Sequence, residues 1–245
     1  MRKNDDIECL INDLNEIKLH HMAESLEELY HSKEFNTLDH VSLLERLIEP
    51  EYEETTAKQY ENRLTRANLK GSPQVIDNCK DSSERSYLPS GLISTLSTLD
   101  FVRDGLNICI LGPSDSGKTY LAKALSIQAC QKYRVSYQHC ESFLEEMVAL
   151  KDIDFMKYKK KIRYYTKMDL MVLDDFLLHT ITDEREIKVL HDLLENRTEL
   201  CKSTIVCSQR EPKSWASMIL NDEVSYNAIM KRATKHYTVV IQPKE

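Results

Sequence analysis

The segment that most restricts how this chain can fold is Gly112-Pro113-Ser114-Asp115-Ser116-Gly117-Lys118-Thr119. It has the spacing Gly-x-x-x-x-Gly-Lys-(Ser/Thr) in a chain with five glycines among 245 residues, about 2% against a typical ~7%. Two of so few glycines at the two required positions mark a tight turn whose backbone must approach a ligand closely. The apolar run Ile108-Cys109-Ile110-Leu111 enters this loop, and a helical pattern from Tyr120 leaves it. Strand, loop and helix then aim consecutive backbone N–H groups and a helix N-terminus at one point, where phosphate is favoured by hydrogen bonding and by the helix dipole. The loop, with Tyr120 after it, therefore reads as a nucleoside triphosphate site for ATP with Mg2+. Lys118 neutralises the β and γ phosphates and the Thr119 hydroxyl takes the Mg2+. Asp115 puts a carboxylate on the rim of an anion site and is expected to point outward.

Short apolar runs at 107–111, 135–139, 170–173, 204–208 and 237–241 alternate with helical patterns. Alternation at this length predicts an α/β fold, a parallel sheet with helices on both faces. Ligands of such sheets lie beyond the carboxyl ends of the strands. Asp174 and Asp175, which end Leu170-Met171-Val172-Leu173, would face the same crevice as the loop. Asp174 can hold the water shell of Mg2+, and Asp175 can polarise an attacking water. A strand ending in an ordinary polar turn has the same pattern, so the weight comes from the phosphate loop ~55 residues upstream. Gln209 closes another strand, Ser203-Thr204-Ile205-Val206-Cys207-Ser208. It either hydrogen-bonds the γ-phosphate or its water, or faces solvent.

Residues 1–70 contain no glycine and one proline, Pro50. Their apolar residues, among them Ile7, Leu10, Ile11, Leu14, Met22, Leu26, Leu29, Val41, Leu44, Leu47 and Ile48, recur at helical spacing and predict two or three amphipathic helices. Ser25 with Glu28, and Ser42 with Glu45, fit a capping box or an exposed helix face. Gly71, Ser72, Pro73, Ser82, Ser83, Pro89 and Ser90 are the vocabulary of turns. The expected organisation is a helical interaction domain at 1–70, a linker at 71–90 and a P-loop ATPase domain at 91–245.

The net charge of −7 arises wholly in the first segment, where 9 Lys+Arg face 16 Asp+Glu, against 24 and 24 in the remainder. Global charge thus neither indicates nor excludes nucleic acid, and local patches decide. One such patch is Lys157, Lys159, Lys160, Lys161, Arg163 and Lys167, interleaved with Phe155, Tyr158, Tyr164 and Tyr165. These cations could neutralise DNA phosphates with salt-sensitive, sequence-independent affinity. At helical spacing Phe155, Tyr158, Ile162 and Tyr165 would form a buried face, leaving the lysines either on DNA or simply solvated. No helix-turn-helix or zinc module is present, so duplex DNA would be read by backbone and shape. Seven cysteines without a C-x-x-C pair indicate neither a disulfide framework nor a zinc site. No apolar run approaches the ~18 residues of a membrane span, and a cytoplasmic location is expected.

The ordered set of motifs resembles the IstB-like ATP-binding proteins, transposition helpers encoded beside a transposase in bacterial insertion sequences and relatives of the DnaC helicase loaders within the AAA+ ATPases. The resemblance runs from about Ile7 to Ile241. It rests on His21-Met22-Ala23-Glu24-Ser25-Leu26, Leu43-Leu44-Glu45, Tyr60-Glu61-Asn62-Arg63-Leu64, the phosphate loop, Leu173-Asp174-Asp175, the strand ending at Gln209, Trp215 after a proline, and Ala228-Ile229-Met230-Lys231-Arg232. It implies an AAA+ fold and an ATPase that assembles as a homo-oligomer on duplex DNA and assists a transposase. The alternative it implies is a DnaC-like loader of a replicative helicase. A third reading, a small-molecule P-loop kinase, finds no acceptor pocket or lid in the sequence. By similarity Gln209 stands at the family's sensor asparagine, and Arg232 at the arginine that reaches the neighbouring subunit's γ-phosphate. Asp174, Asp175, Gln209 and Arg232 are thus the implied catalytic set. Asp175 replaces glutamate, Gln209 asparagine, Lys231 aspartate and Asp115 a small residue. The shorter Asp175 leaves a water less well placed, which implies slow hydrolysis.

Overall fold

The structure, a computed structural model, describes residues 2–220 and 222–244, with side chains from Asp6 onward. The chain divides into two compact units, Met1–Asn62 and Arg63–Glu245. No helix among the described residues is long and apolar enough to cross a membrane.

The first unit is built from α1 (Arg2–Glu16), α2 (His20–His31) and α3 (His40–Arg66), whose last turn belongs to the second unit. Leu26, Leu29 and Leu47 form its centre, with Ile11, Leu14, Met22 and Leu43 packed around them. These are positions whose helical spacing marks a buried stripe. Of the two readings of Ser25 and Ser42, the helix-face one holds and neither capping box forms. Ser25 lies within α2, and at the start of α3 the cap is Asp39, whose Oδ1 accepts from the N–H groups of Val41 (2.9 Å) and Ser42 (3.1 Å). A carboxylate there satisfies donors that the helix start leaves unpaired.

The second unit holds a six-stranded sheet in the order β1-β6-β2-β5-β4-β3. The strands are β1 (Arg85–Leu88), β2 (Ile108–Leu111), β3 (Val135–His139), β4 (Leu170–Asp174), β5 (Ser203–Ser208) and β6 (Tyr237–Pro243). All neighbours are parallel except β1, which runs antiparallel to β6. The expected parallel sheet is therefore present, with one antiparallel edge. Every residue of β4 and β5 is buried, which is why these strands read as unbroken apolar runs rather than alternating ones. The helices are α4 (Leu92–Ser97), α5 (Asp100–Arg103), α6 (Lys118–Ala129), α7 (Cys140–Ile153), α8 (Phe155–Thr166), α9 (Glu184–Glu199), α10 (Trp215–Met218) and α11 (Glu223–Ala233).

Strand β1 lies inside the stretch 71–90 expected as a linker. Tyr87 is buried, and Arg85–Leu88 pair with β6 along their whole length. The turn residues around it end a short strand rather than separate two domains, and the division between units falls after Asn62.

Arg197 of α9, with no exposed surface, ties three elements together. It donates to Thr204 Oγ1 (2.9 Å) and to the carbonyls of Tyr165 (2.7 Å), Met168 (2.9 Å) and Ser203. Tyr165 lies in the last turn of α8, Met168 in the turn before β4, and Ser203 and Thr204 open β5. Burial pulls the guanidinium down to about 9. On α8, Tyr158 and Tyr165 are buried as expected, but Phe155 is half exposed. It opens the helix after the cap residue Asp154, so its ring overhangs the end and stacks on Tyr158, with centroids 6.2 Å apart.

Candidate nucleotide site

Strand β2 ends at Leu111 and α6 begins at Lys118, so the motif forms the turn between them. Gly117, just before α6, has φ +102°, a backbone that side-chain-bearing residues rarely adopt. A Cβ at Gly112 would lie 2.7 Å from both the Ile241 carbonyl oxygen and Ser116 Oγ, so that position also excludes a side chain. Asp115 has φ +59° and is exposed, its carboxylate 3.4 Å from the Ser114 hydroxyl. Ser116 is buried with its hydroxyl unpartnered among the described residues. Lys118 is only 6% exposed, and its Nζ donates to the Pro113 carbonyl at 2.6 Å, folding the ammonium over the loop. Burial pulls the Lys118 pKa below the ordinary lysine value, while Cys207, Asp174 and Asp175 oppose that shift.

Asp174, at the end of β4, is 1% exposed and is held by three donors. Thr119 Oγ1 donates to its Oδ2 at 2.8 Å, the Tyr137 hydroxyl donates to the same oxygen, and the Asp175 N–H donates to Oδ1 at 3.1 Å. Burial and Asp174 both push the Tyr137 phenol well above its usual range, so it remains a donor. Asp175 takes a left-handed backbone, φ +53°, which turns its side chain out of the strand. Its Oδ2 lies 3.6 Å from His139 Nδ1. Ligand atoms of His139, Asp174 and Asp175 all fall within 4.8 Å of one another. Tyr137 and His139 escaped the sequence reading because they look like ordinary β3 residues. The β3–β4 register, which sets His139 opposite Asp174, brings them here.

Gln209, directly after β5, lines a cleft of about 760 Å3 with Gly112 and Pro113, walled by Tyr226, Met230 and Ile241. The structure thus gathers the loop, Asp174, Asp175 and Gln209 at the carboxyl edge of the sheet. Arg232 is not gathered there. Its Nη2 donates to Glu195 Oε1 at 2.6 Å and its Nη1 to the Ala228 carbonyl at 3.0 Å. Another cation does reach the loop: Arg85 Nη1 lies 3.5 Å from the Ser116 carbonyl, and a Cβ on Gly117 would meet it at 2.5 Å. Sequence reasoning missed Arg85 because its strand carries the composition of a linker.

The basic residues of α8 split into two groups. Lys157 pairs with Asp154 (3.4 Å), Lys161 pairs with Glu146, and Lys159 Nζ sits 4.8 Å above the Phe155 ring. Lys160, Arg163 and Lys167 are exposed.

The site fits a phosphate chain and a hard dication. Two glycine positions leave no room for side chains, a buried serine hydroxyl lacks a partner, and a lysine is folded inward. Thr119 and Asp174 are oxygen donors of the kind Mg2+ takes alongside phosphate oxygens.

Comparison with known proteins agrees with this geometry. The family model described as IstB-like ATP binding protein matches residues 12–244. A protein of Pseudomonas fluorescens, named for ATP binding in insertion sequence IS1162, is 30% identical over 203 residues, 81% of this chain and 84% of its own. Its counterpart from insertion sequence IS232 of Bacillus thuringiensis subsp. berliner is 27% identical over 234 residues, 94% of this chain and 90% of its own. Among solved structures, the DnaC helicase loader superposes with a TM-score of 0.54 at 20% identity, covering 70% of this chain and 98% of that chain. AMPPCP-bound DnaA from Aquifex aeolicus gives 0.56 at 21% identity, covering 70% of this chain and 50% of that chain. At these identities the structural likeness is one of fold, the AAA+ P-loop architecture. With the family model matched from near its first helix to its last strand, the chain belongs to the IstB-like ATP-binding protein family.

Proposed function

We propose that this chain is an ATP-hydrolysing transposition helper that assembles as a homo-oligomer on duplex DNA and acts with a partner transposase. The observation that carries the ATPase part is the bond between Thr119 and Asp174, which joins the phosphate loop to the acid ending β4. The insertion-sequence names of the relatives support the transposition part.

The backbone N–H groups of residues 112–119 and the start of α6 bind the β and γ phosphates, with Lys118 supplying a fixed positive charge. Thr119 and Asp174 would hold Mg2+, which when bound neutralises charge on the phosphate oxygens. Tyr137 fixes the rotamer of Asp174. Asp175, turned outward beside His139, orients a water for attack on the γ-phosphate and accepts its proton, while Gln209 steadies that water from β5. The short reach of an aspartate here favours slow turnover. Arg232 serves a neighbouring subunit by placing positive charge where it develops in the transition state, after leaving Glu195. DNA contact falls to α8, through Lys157, Lys159, Lys160, Lys161, Arg163 and Lys167. An exposed apolar stripe on α3, Val41, Leu44, Ile48 and Tyr52, suits a protein partner. A transposase is the favoured one; a replicative helicase, the partner of the DnaC-like alternative, would bind the same unit.

Lys118→Ala tests the nucleotide site. Charge-assisted hydrogen bonds contribute ~1.5–3 kcal/mol each, so losing two to phosphate should weaken ATP by about 100-fold or more in equilibrium titration. Unchanged affinity would remove the assignment.

A further inference from the structure

A basic cavity lies at the edge of the sheet opposite the phosphate loop. It has a volume of about 240 Å3 and is lined by Arg63, Arg66, Arg134 and Lys167, with Val135, Tyr164 and Met168 as its apolar wall. No acidic residue lines it among the described residues. Val135 opens β3 and Met168 lies two residues before β4, whereas Asp174 closes β4. The five residues of β4 therefore separate the cavity from the nucleotide site by about 16 Å, at ~3.3 Å per residue.

Two of its cations, Arg63 and Arg134, are held in place before any ligand arrives. Arg63 Nη1 donates to the carbonyls of Gln131 (2.6 Å) and Cys130 (3.2 Å). Arg134 Nη2 donates to the Lys167 carbonyl (3.1 Å), and its Nε leans on Asp169 Oδ2 (3.3 Å), a carboxylate that also takes Lys202. The segment carrying Arg63 and Arg66 is pinned to β3 by the Tyr137 N–H, which donates to the Ala67 carbonyl at 3.3 Å, and by buried Ala67 and Leu69. Among the described residues, no salt bridge engages Arg66, Lys160, Arg163 or Lys167, unlike Lys157 and Lys161. Positions 160, 163 and 167 recur at helical spacing on one face of α8 and its C-terminal cap, so these three uncommitted cations form a stripe ending at the cavity.

We propose that this cavity, reached along the Lys160–Arg163–Lys167 stripe, is the anchoring site for the phosphodiester backbone of duplex DNA. Three guanidiniums around one concavity match the fork geometry that phosphate oxygens accept. Tyr164 and Met168 offer the adjoining sugar an apolar wall. The space, several times the ~30 Å3 share of one water, admits a phosphate with part of its sugar. The inference rests on the DNA-binding reading above but moves the contact from the whole outer face of α8 to one end of it, and adds Arg63, Arg66 and Arg134.

The test compares two full-length variants of equal charge change, Arg66→Ala/Lys167→Ala at the cavity and Lys188→Ala/Lys235→Ala, exposed lysines of α9 and of the turn before β6, binding a labelled blunt duplex over a series of salt concentrations. Each lost phosphate contact lowers the slope of log affinity against log salt by ~0.9. The cavity variant should lose a slope of about 2, and the control close to none. In the wild-type chain, duplex should shield Lys167 from acetylation more than Lys188, a readout that does not depend on how the variants fold. Equal slope losses in both variants, or an unchanged slope in the cavity variant with Lys167 unshielded, would overturn the anchoring site while leaving DNA binding intact. If the wild-type chain binds no duplex, the DNA reading falls and this inference with it.

Discussion

Arg232 cannot serve a neighbour's γ-phosphate while its guanidinium rests on Glu195, and this gives the trans-acting role a quantitative test. The Nη2–Oε1 distance is 2.6 Å, with the Arg232 side chain 21% and the Glu195 side chain 40% exposed. Solvent screens a pair this open, so its net worth is about 0.5–1 kcal/mol. Glu195→Gln keeps the shape and an acceptor oxygen but removes the charge. The fraction of chains with Arg232 released should rise by about two- to fivefold, since 1.4 kcal/mol corresponds to a factor of ten. The assay is steady-state ATP hydrolysis with duplex DNA, at protein concentrations where assembly is incomplete. Turnover of Glu195→Gln should exceed wild type by that factor, and the gain should vanish on an Arg232→Ala background, which alone should cost ~10³-fold or more if the arginine acts on the transition state. The double-mutant comparison isolates the pair because the two groups touch directly. If Glu195→Gln instead lowers turnover towards the Arg232→Ala level, the ion pair is a structural brace between α9 and α11, and the trans role loses its support.

Two further outcomes follow from the packing. Gly117→Ala forces a side chain into φ +102° and to 2.5 Å from Arg85 Nη1; backbone strain of ~1–3 kcal/mol should reduce ATP affinity about 5- to 100-fold. Adding Arg85→Ala relieves the clash but not the strain, so equilibrium titration should show partial recovery, and full recovery would refute the backbone argument. Arg197→Met removes the donor to the Met168 and Ser203 carbonyls and the Thr204 hydroxyl in the interior, while the Tyr165 carbonyl keeps the Met168 N–H at 3.3 Å. At ~1–3 kcal/mol for each unsatisfied group, and with partial relaxation, urea denaturation should report a loss of about 3–5 kcal/mol, whereas a loss under about 1 kcal/mol would mean that water replaces the guanidinium.

Much of the site is written in local pattern. The phosphate loop announces itself because glycine spacing, an apolar strand and a following helix are contiguous in the chain. Asp174 and Asp175 are legible because a fully buried strand must end in polar residues where it leaves the core, and the alternation of such strands with helices predicts the parallel sheet. Partners chosen across the fold leave no local trace. Tyr137 and His139 meet Asp174 and Asp175 through the β3–β4 register, and Arg85 reaches the loop through an antiparallel strand whose own residues read as a turn-rich connection. Arg232 turns to Glu195 because α9 and α11 pack together. Arg63, Arg66, Arg134 and Lys167 become one cavity only when the last turn of α3, the start of β3 and the end of α8 converge. Periodicity records which face of an element is buried, but it does not record what that face will touch. For this chain that division separates the nucleotide loop, visible in eight consecutive residues, from the groups that surround and position it.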